Sequence, residues 1–145
     1  MLLSDNYFMR EALKEAQKAF DAGEVPVGAV VVCEGQIIAR AHNLTERLND
    51  VTAHAEMQAI TAAANHLGGK YLDQCTLYVS LEPCLMCAGA IFWAQTGRLV
   101  YAASDDKRGY TLLAANILHP KTAVTKNVEA EASTKLLKNF FKLKR

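Results

Sequence analysis

Three potential metal ligands and one carboxylate have a spacing that predicts a catalytic metal site. Cys84 and Cys87 are separated by two residues and directly follow Pro83, which predicts both thiols on one face of a helix's first turn. Proline suits the first helical position because it has no N–H to lose. The positive end of a helix lowers the pKa of cysteine, and the thiolate is the form that binds a soft metal. With the imidazole of His54, the two thiolates provide three ligands for tetrahedral zinc and leave a fourth position for water.

Glu56 lies two residues after His54 and is the candidate proton carrier. At the start of a helix its side chain can reach the same cavity as the ligands. A carboxylate beside a zinc-bound water can take its proton and pass it to a leaving amine. A lone Cys-x-x-Cys is also typical of redox sites and of one half of a zinc ribbon. The His-x-Glu pair upstream favours the catalytic interpretation.

The elements that must position these residues alternate between helices and strands. The periodicity predicts helices over 5–22, 53–67, 83–95 and 131–143, and strands over 27–33, 36–41, 74–81, 98–103 and 122–128. Thr52 is the predicted N-cap of the second helix, and Gly68-Gly69 ends it. This alternation indicates an α/β architecture with the site beyond the ends of strands.

Several residues near these elements allow two interpretations. Gly28 permits close approach of a backbone or a ligand, or it marks a turn or bulge. Asn43 is either a turn residue bonded to its own backbone or an amide that binds the edge of a base. Cys33 and Cys75 fall inside strands and are most simply small buried residues, with a fourth zinc ligand as the alternative.

Two further segments allow a structural or a substrate-binding role. Residues 104–121 lack a clean period, so Asp105 and its charged neighbours are either solvated or line a substrate mouth. The last predicted helix ends in lysines, which keep a helix soluble or, next to an active site, hold phosphates.

Length and composition bound the class of protein. The 145 residues are 51% hydrophobic and 21% charged, which is typical of one globular domain. The net charge of +1 neither requires nor excludes a nucleic-acid partner. No apolar run is long enough to span a bilayer and no signal peptide is evident, so we expect reduced thiols in the cytoplasm.

These motifs together resemble the zinc-dependent cytidine/deoxycytidylate deaminase superfamily, and within it the bacterial tRNA-specific adenosine deaminases. His-x-Glu followed by Pro-Cys-x-x-Cys is the signature of zinc-dependent base deaminases. The resemblance covers nearly the whole chain. Its matching blocks are 24–30, Asn43, 52–56, 77–90, Asp105 with Lys107 and Gly109, and Phe140-Phe141.

The resemblance implies a three-layer α/β/α fold with a five-stranded mixed sheet, a single domain over 1–145 and a homodimer. It implies that adenosine is converted to inosine at the first (wobble) anticodon position of a tRNA anticodon stem-loop. By position, one Zn²⁺ per subunit would be held by His54, Cys84 and Cys87, with Glu56 as the proton shuttle.

The resemblance also implies a set of substrate contacts. Asn43 would bind the base, and the backbone around Val27, Gly28 and 82–83 would shape the pocket. Phe141 and the C-terminal lysines correspond to the region that contacts the anticodon loop. The implied substrate-binding residues are Asn43, Val27, Gly28, Glu82, Pro83, Asp105 and Phe141.

Three features depart from the family pattern, and two rival functions remain. Val51 stands where the family usually has proline, residues 110–115 replace a Gly-Ser-containing stretch, and the region between Val128 and the last helix is shortened. The first rival is a deaminase of free guanine or cytosine with the same zinc chemistry. The second is a structural zinc or RNA-binding module, which would need a fourth protein ligand and no Glu56.

Overall fold

The computed structural model describes residues 3–144, which form five helices and five strands. The helices are α1 (Asp5–Asp21), α2 (Ala55–Leu67), α3 (Leu85–Trp93), α4 (Tyr110–Leu113) and α5 (Ala130–Leu143). The strands are β1 (Gly28–Cys33), β2 (Gln36–His42), β3 (Cys75–Leu81), β4 (Arg98–Ala103) and β5 (Ala123–Thr125). Within this range, no helix is both long and apolar enough to cross a membrane.

The five strands form one mixed sheet in the order β2-β1-β3-β4-β5. β1 pairs antiparallel with β2 and β3, while β4 pairs parallel with β3 and β5. The inner strands β1 and β3 are buried on both faces, as expected for strands covered on both sides. The mixed five-stranded sheet is therefore confirmed.

Helices cover both faces of this sheet and complete the predicted three-layer arrangement. On one face, α1 packs through Phe8, Met9 and Ala12 against alternate residues of β1, and α5 packs beside it on β4. On the other face, α2 and α3 pack through small residues such as Ala59 and Ala88. Small side chains let α2 approach the sheet closely, and α3 packs beside α2.

The predicted elements are confirmed, with corrections at their ends. α1 begins after the N-cap Ser4, whose side chain accepts a hydrogen bond from the N–H of Tyr7. α2 ends at Gly68, which has φ +71° and supplies the left-handed cap that the sequence predicts. β5 is only three residues long and lies within the predicted strand 122–128.

The segment 104–121, which lacks a clean period in the sequence, contains the short helix α4. Tyr110 is buried in the core beside Tyr101 and anchors the short helix. One buried aromatic residue gives no periodic signal, so the sequence pattern does not reveal it.

Candidate active site

The three predicted ligands lie together at the N-termini of two adjacent helices. His54 is the N-cap of α2, Cys84 is the N-cap of α3, and Cys87 is the third residue of α3. The Nδ1 atom of His54 lies 3.7 Å from the Sγ atom of Cys84 and 3.5 Å from that of Cys87. All three ligand atoms lie within 4.8 Å of one another.

These distances fit a tetrahedral zinc ion. Zinc–nitrogen bonds of about 2.05 Å and zinc–sulfur bonds of about 2.3 Å place the nitrogen and sulfur atoms of a tetrahedral site about 3.6 Å apart. The two distances from His54 bracket this value. Within residues 3–144 the cluster has three ligands, which is the number typical of a catalytic zinc site.

The predicted start of α3 at Pro83 is wrong by two residues. Cys84 has extended dihedral angles of φ −73° and ψ 175°, and the helix begins at Leu85. The carbonyl of Pro83 accepts a hydrogen bond from the N–H of Tyr110, a partner outside the helix. At the other end, α3 stops at Trp93 because Gln95 turns the chain with φ +51°.

The protonation of the two thiols is strongly coupled. Hydrogen bonds from the Cys87 thiol and from His54 lower the pKa of Cys84 to about 4. The hydrogen bond to Cys84, together with burial, raises the pKa of Cys87. Ionisation of Cys84 therefore disfavours ionisation of Cys87. A divalent cation would supply the positive charge that stabilises both thiolates.

Glu56 is the second residue of α2 and is buried beside the cluster, with only 4% of its surface exposed. Burial raises the pKa of its carboxyl group to about 7. The charge of His54 lowers this pKa and that of Cys84 raises it, and both effects are smaller than that of burial. A carboxyl group with a pKa near neutrality is suited to both accepting and donating a proton.

Asn43 links β2 to the start of α2. Its Oδ1 accepts a hydrogen bond of 2.9 Å from the N–H of Ala55, and its Nδ2 donates one of 3.1 Å to the carbonyl of Val25. The amide keeps one N–H and one lone pair for a further partner. The prediction that Thr52 caps α2 is wrong, because the Thr52 hydroxyl donates to Asp50 and the cap comes from Asn43.

Val27 and Gly28 lie next to Asn43 at the start of β1. Val27 is buried, and its carbonyl accepts a hydrogen bond from the N–H of Asn43. A Cβ atom added to Gly28 would overlap the carbonyl of Ala12 and the amide of Ala16 in α1. The direction that a Cβ atom of Gly28 would take therefore points at α1, on the face of the sheet opposite α2 and α3. Close backbone approach, the first of the two interpretations, describes this glycine.

Glu82, Pro83 and Asp105 lie where β3 turns into α3. Glu82 and Pro83 are buried, and the carboxylate of Glu82 accepts hydrogen bonds from the N–H groups of Asp105 and Thr111. The carboxylate of Asp105 accepts from the N–H groups of Lys107 and Arg108. These contacts bring residues 105–111 against the turn that carries Cys84.

Phe141 lies on α5 and is half exposed, packed edge-to-face against the buried Phe140. Phe140 in turn contacts Phe20 near the end of α1, so the C-terminal end of α5 lies beside the chain that leads into β1. The structure therefore places Phe141 beside Phe140, at the end of α5 that packs near the C-terminal end of α1.

Two of the four cysteines lie away from the cluster, and one further carboxylate is buried. Cys33 and Cys75 are directly opposite each other on β1 and β3, at the end of the sheet away from the cluster. They are not among its ligands within residues 3–144. Glu24, which no sequence pattern singles out, is a fully buried carboxylate that accepts hydrogen bonds from the N–H groups of Glu46 and Arg47.

Comparison with known proteins gives consistent matches. The family profile described as the cytidine and deoxycytidylate deaminase zinc-binding region matches residues 3–103. A tRNA-specific adenosine deaminase of Aquifex aeolicus is 44% identical over 144 residues, which cover 97% of this chain and 95% of the relative.

Solved structures show the same architecture. One from a study of A-to-I editing by tRNA:A34 deaminases at the wobble position of transfer RNA superimposes with a TM-score of 0.85 and 43% identity, over 90% of this chain and 99% of that one. The guanine deaminase of Nitrosomonas europaea superimposes with a TM-score of 0.82 and 25% identity, over 97% of this chain and 86% of that one.

Proposed function

Because the chain belongs to the zinc-dependent cytidine/deoxycytidylate deaminase superfamily, within the family of the tRNA-specific adenosine deaminases, we propose that it converts adenosine to inosine at the wobble position of a tRNA anticodon. The chain is a zinc-dependent hydrolase. The observation that carries the choice of substrate is the near-full-length similarity to tRNA-specific adenosine deaminases. The proposal treats residues 1–145 as a single deaminase domain.

In this proposal His54, Cys84 and Cys87 hold the zinc ion. When bound, zinc supplies a nucleophilic water by lowering its pKa toward neutrality. The N-terminal ends of α2 and α3 point at the ligands, and their free N–H groups favour the negative charge of the two thiolates. Since Asn43 caps α2 from a neighbouring strand, it fixes the position of the His54 backbone as well.

Glu56 moves the protons. Its carboxylate takes one proton from the attacking water and gives it to the ring nitrogen beside the carbon that bears the amine. It then passes the remaining hydroxyl proton to the amino group, which leaves as ammonia. One water is consumed and one ammonia released for each inosine formed, and Glu56 returns to its starting state.

The target base of an RNA substrate must leave its stack to reach this active site. A base in a folded anticodon loop must be splayed out to reach a buried carboxylate and metal site. We place Asn43 at the edge of the base and the buried backbone of Val27, Glu82 and Pro83 around it. Phe141 and the lysines at the end of α5 provide an aromatic and basic surface for the rest of the loop.

We also propose that the protein is a homodimer that works in the cytoplasm. An apolar surface on α3 is formed by Leu85, Met86 and Trp93, with Trp93 77% exposed, and α4 adds Leu112 and Leu113 beside it. Contiguous apolar surface of this kind is typical of protein interfaces. The cytoplasm contains the tRNA substrate and keeps the metal-binding thiols reduced.

Deamination of free guanine is the second candidate function. It is favoured by the similarity to the guanine deaminase of Nitrosomonas europaea and by the absence of a strongly basic net charge. A non-catalytic zinc module is disfavoured, because the cluster has three ligands in the described part of the chain and Glu56 is buried beside them.

The two functions are separated by one assay. Purified zinc-loaded protein is incubated with an anticodon stem-loop that has adenosine at the wobble position, with a matched stem-loop that has adenosine one position further on, and with free guanine, cytosine and adenosine. We expect inosine only in the first substrate. Deamination of a free base with both stem-loops unchanged would show that the substrate is a free base and would leave the zinc-dependent mechanism in place.

A variant at the proton carrier serves as the control. Glu56→Ala should retain one zinc per chain and lose activity by at least about 100-fold, the lower end of the effect of general acid–base catalysis. Unchanged turnover in this variant would refute the role of Glu56, whichever substrate is used.

A further inference from the structure

Glu82 makes a set of contacts that its position before Pro83 does not predict. Its Oε1 accepts a hydrogen bond of 3.1 Å from the N–H of Asp105. Its Oε2 accepts bonds of 3.0 Å from the N–H and 2.8 Å from the hydroxyl of Thr111. The side chain belongs to the turn at the end of β3, and all three donors belong to the segment 105–111. One carboxylate therefore joins the two ends of this segment.

The contacts of Glu82 come from neutral donors in a buried setting. The residue is only 3% exposed, and across residues 3–144 no salt bridge to it is formed. A buried carboxylate is stable only where hydrogen-bond donors replace its lost water. The position of the carboxylate and the position of the segment therefore depend on each other.

The backbone of the segment packs directly on this carboxylate. A Cβ atom added to Gly109 would overlap both carboxylate oxygens of Glu82. The end of a glutamate can usually move aside, but here three hydrogen bonds and burial hold it in place. A second link is the hydrogen bond of 2.9 Å from the N–H of Tyr110 to the carbonyl of Pro83, the residue before Cys84.

The segment between these anchors presents two cations to solvent. Lys107 and Arg108 are exposed next to the exposed Asp106, and the N–H groups of Lys107 and Arg108 both donate to the carboxylate of Asp105, which closes the turn. The anchored ends are Asp105 on one side and Gly109 to Thr111 on the other. The two cations are thus carried on a short turn whose base is fixed by Glu82.

We propose that Glu82 is a positioning residue that holds the cationic turn Lys107–Arg108 beside the active site, where the turn binds phosphates of the substrate RNA. This inference rests on the proposed function, because it needs an RNA substrate. Only the backbone of Glu82, which Glu82→Gln keeps, is placed beside the base, whereas the side chain of this residue acts through the turn. Its loss therefore weakens RNA binding and leaves the zinc site and the chemical step in place.

Four variants test this inference. Glu82→Gln replaces one acceptor oxygen by an amide that faces N–H donors. Gly109→Ala displaces the segment while keeping the Glu82 carboxylate. The double variant Lys107→Ala/Arg108→Ala removes the cations and keeps the anchor. Glu24→Gln is the matched control, because Glu24 holds residues 45–47 with the same donor set of two N–H groups and one threonine hydroxyl.

The first readout is amide hydrogen exchange of the zinc-loaded protein. In Glu82→Gln and in Gly109→Ala, the amides of residues 105–111 should exchange at least about tenfold faster, because their anchored hydrogen bonds open more often. In Glu24→Gln the faster exchange should be at residues 45–47 instead. Zinc content should stay at one per chain in all of them.

The second readout is steady-state kinetics on the anticodon stem-loop. Glu82→Gln should raise KM about tenfold and change kcat by less than about threefold. In the background of Lys107→Ala/Arg108→Ala, adding Glu82→Gln should have little further effect on KM, since both changes remove the same contact. The KM of the wild type should rise more steeply with salt than that of the cation-free variant.

Several outcomes would overturn the inference. Unchanged exchange of residues 105–111 in Glu82→Gln would show that the carboxylate does not hold the segment. A full additional rise in KM in the cation-free background would show that Glu82 acts by another route. If Glu82→Gln does not fold, Gly109→Ala gives the same tests. A wild-type protein that does not act on the stem-loop refutes the proposed function, whereas an active wild type with unaffected variants refutes only the role of Glu82.

Discussion

Substitution of Gly28 by alanine tests how α1 is seated on the sheet. Gly28 is the first residue of β1, and a Cβ atom there would overlap the carbonyl of Ala12 and the amide of Ala16 and lie 2.7 Å from the Cβ of Glu15. The first two are backbone atoms of a regular helix, which cannot rotate away. Helix α1 must therefore move away from the sheet by about an ångström to reach ordinary van der Waals separation.

The cost follows from the residues that this movement would separate. Met9 and Ala12 are fully buried against β1 and β3, so the shift opens a gap along this cluster. Overpacking of a well-packed core costs about 1–3 kcal/mol, and a clash with backbone belongs at the upper end. Replacing glycine also reduces the entropy of the unfolded chain, which returns about 0.4–1 kcal/mol. The expected net loss is about 2 kcal/mol.

Thermal unfolding of the zinc-loaded protein measures this loss. For 145 residues the entropy of unfolding is about 0.3 kcal/mol/K, so Gly28→Ala should lower Tm by about 7 °C at fixed protein concentration. Gly69→Ala is the control, because Gly69 has open space around it and no positive φ, and its Tm should change by less than about 2 °C. A Gly28→Ala protein with unchanged Tm and a raised KM would refute the packing argument and assign Gly28 to the substrate pocket.

Three further variants or treatments have defined outcomes. The pKa of Asp5 lies below its ordinary 3.8 because of the hydrogen bonds from Arg98, so this carboxylate stabilises the fold above about pH 3.8 and the effect is lost as pH falls through the lowered value. Asp5→Asn should therefore cost about 1–2 kcal/mol at pH 7 in urea unfolding, and the difference from wild type should shrink below pH 3.8. Cys84→Ala should lose zinc on dialysis together with all activity, and a chelator should lower the Tm of the wild type but not that of the variant. Trp93→Glu places a charge on the apolar α3 surface and should convert a dimer into a monomer in light scattering; a dimer that persists would remove this surface from the interface.

The parts of the site that were predictable are those whose signal is local in sequence. Cys84 and Cys87 are one helical turn apart, and His54 and Glu56 are two residues apart, so each pair carries its own spacing. The α/β alternation around them places both pairs at helix N-termini. What joins the pairs is the packing of α2 beside α3, which follows from the small residues on both helices.

The N-terminus of α2 shows why element ends were less predictable. Thr52 has the residue type and position of a cap, and the sequence favours it. The N-cap residue is His54, and the first N–H of the helix, that of Ala55, donates to Asn43, which lies twelve residues before Ala55 and directly follows β2. No local pattern distinguishes an asparagine that caps a distant helix from one that closes its own turn, because both use the same amide.

The burial of Glu24 and Glu82 was not predictable for a related reason. Glu24 follows Gly23 and Glu82 precedes Pro83, both turn-forming residues, and glutamate is seldom fully buried. Their burial depends on N–H groups presented by segments that lie more than twenty residues further along the chain. Only the folded chain brings those donors together, so the sequence shows neither the burial of these two carboxylates nor their hydrogen bonds.

Both glutamates hold segments that flank the same end of the sheet. Glu24 fixes residues 45–47, which lead toward His54, and Glu82 fixes residues 105–111, which lie against the turn before Cys84. The zinc ligands themselves are placed by helix N-termini and need neither carboxylate. We therefore expect that changes in the flanking segments leave the ligand geometry and the position of Glu56 unchanged.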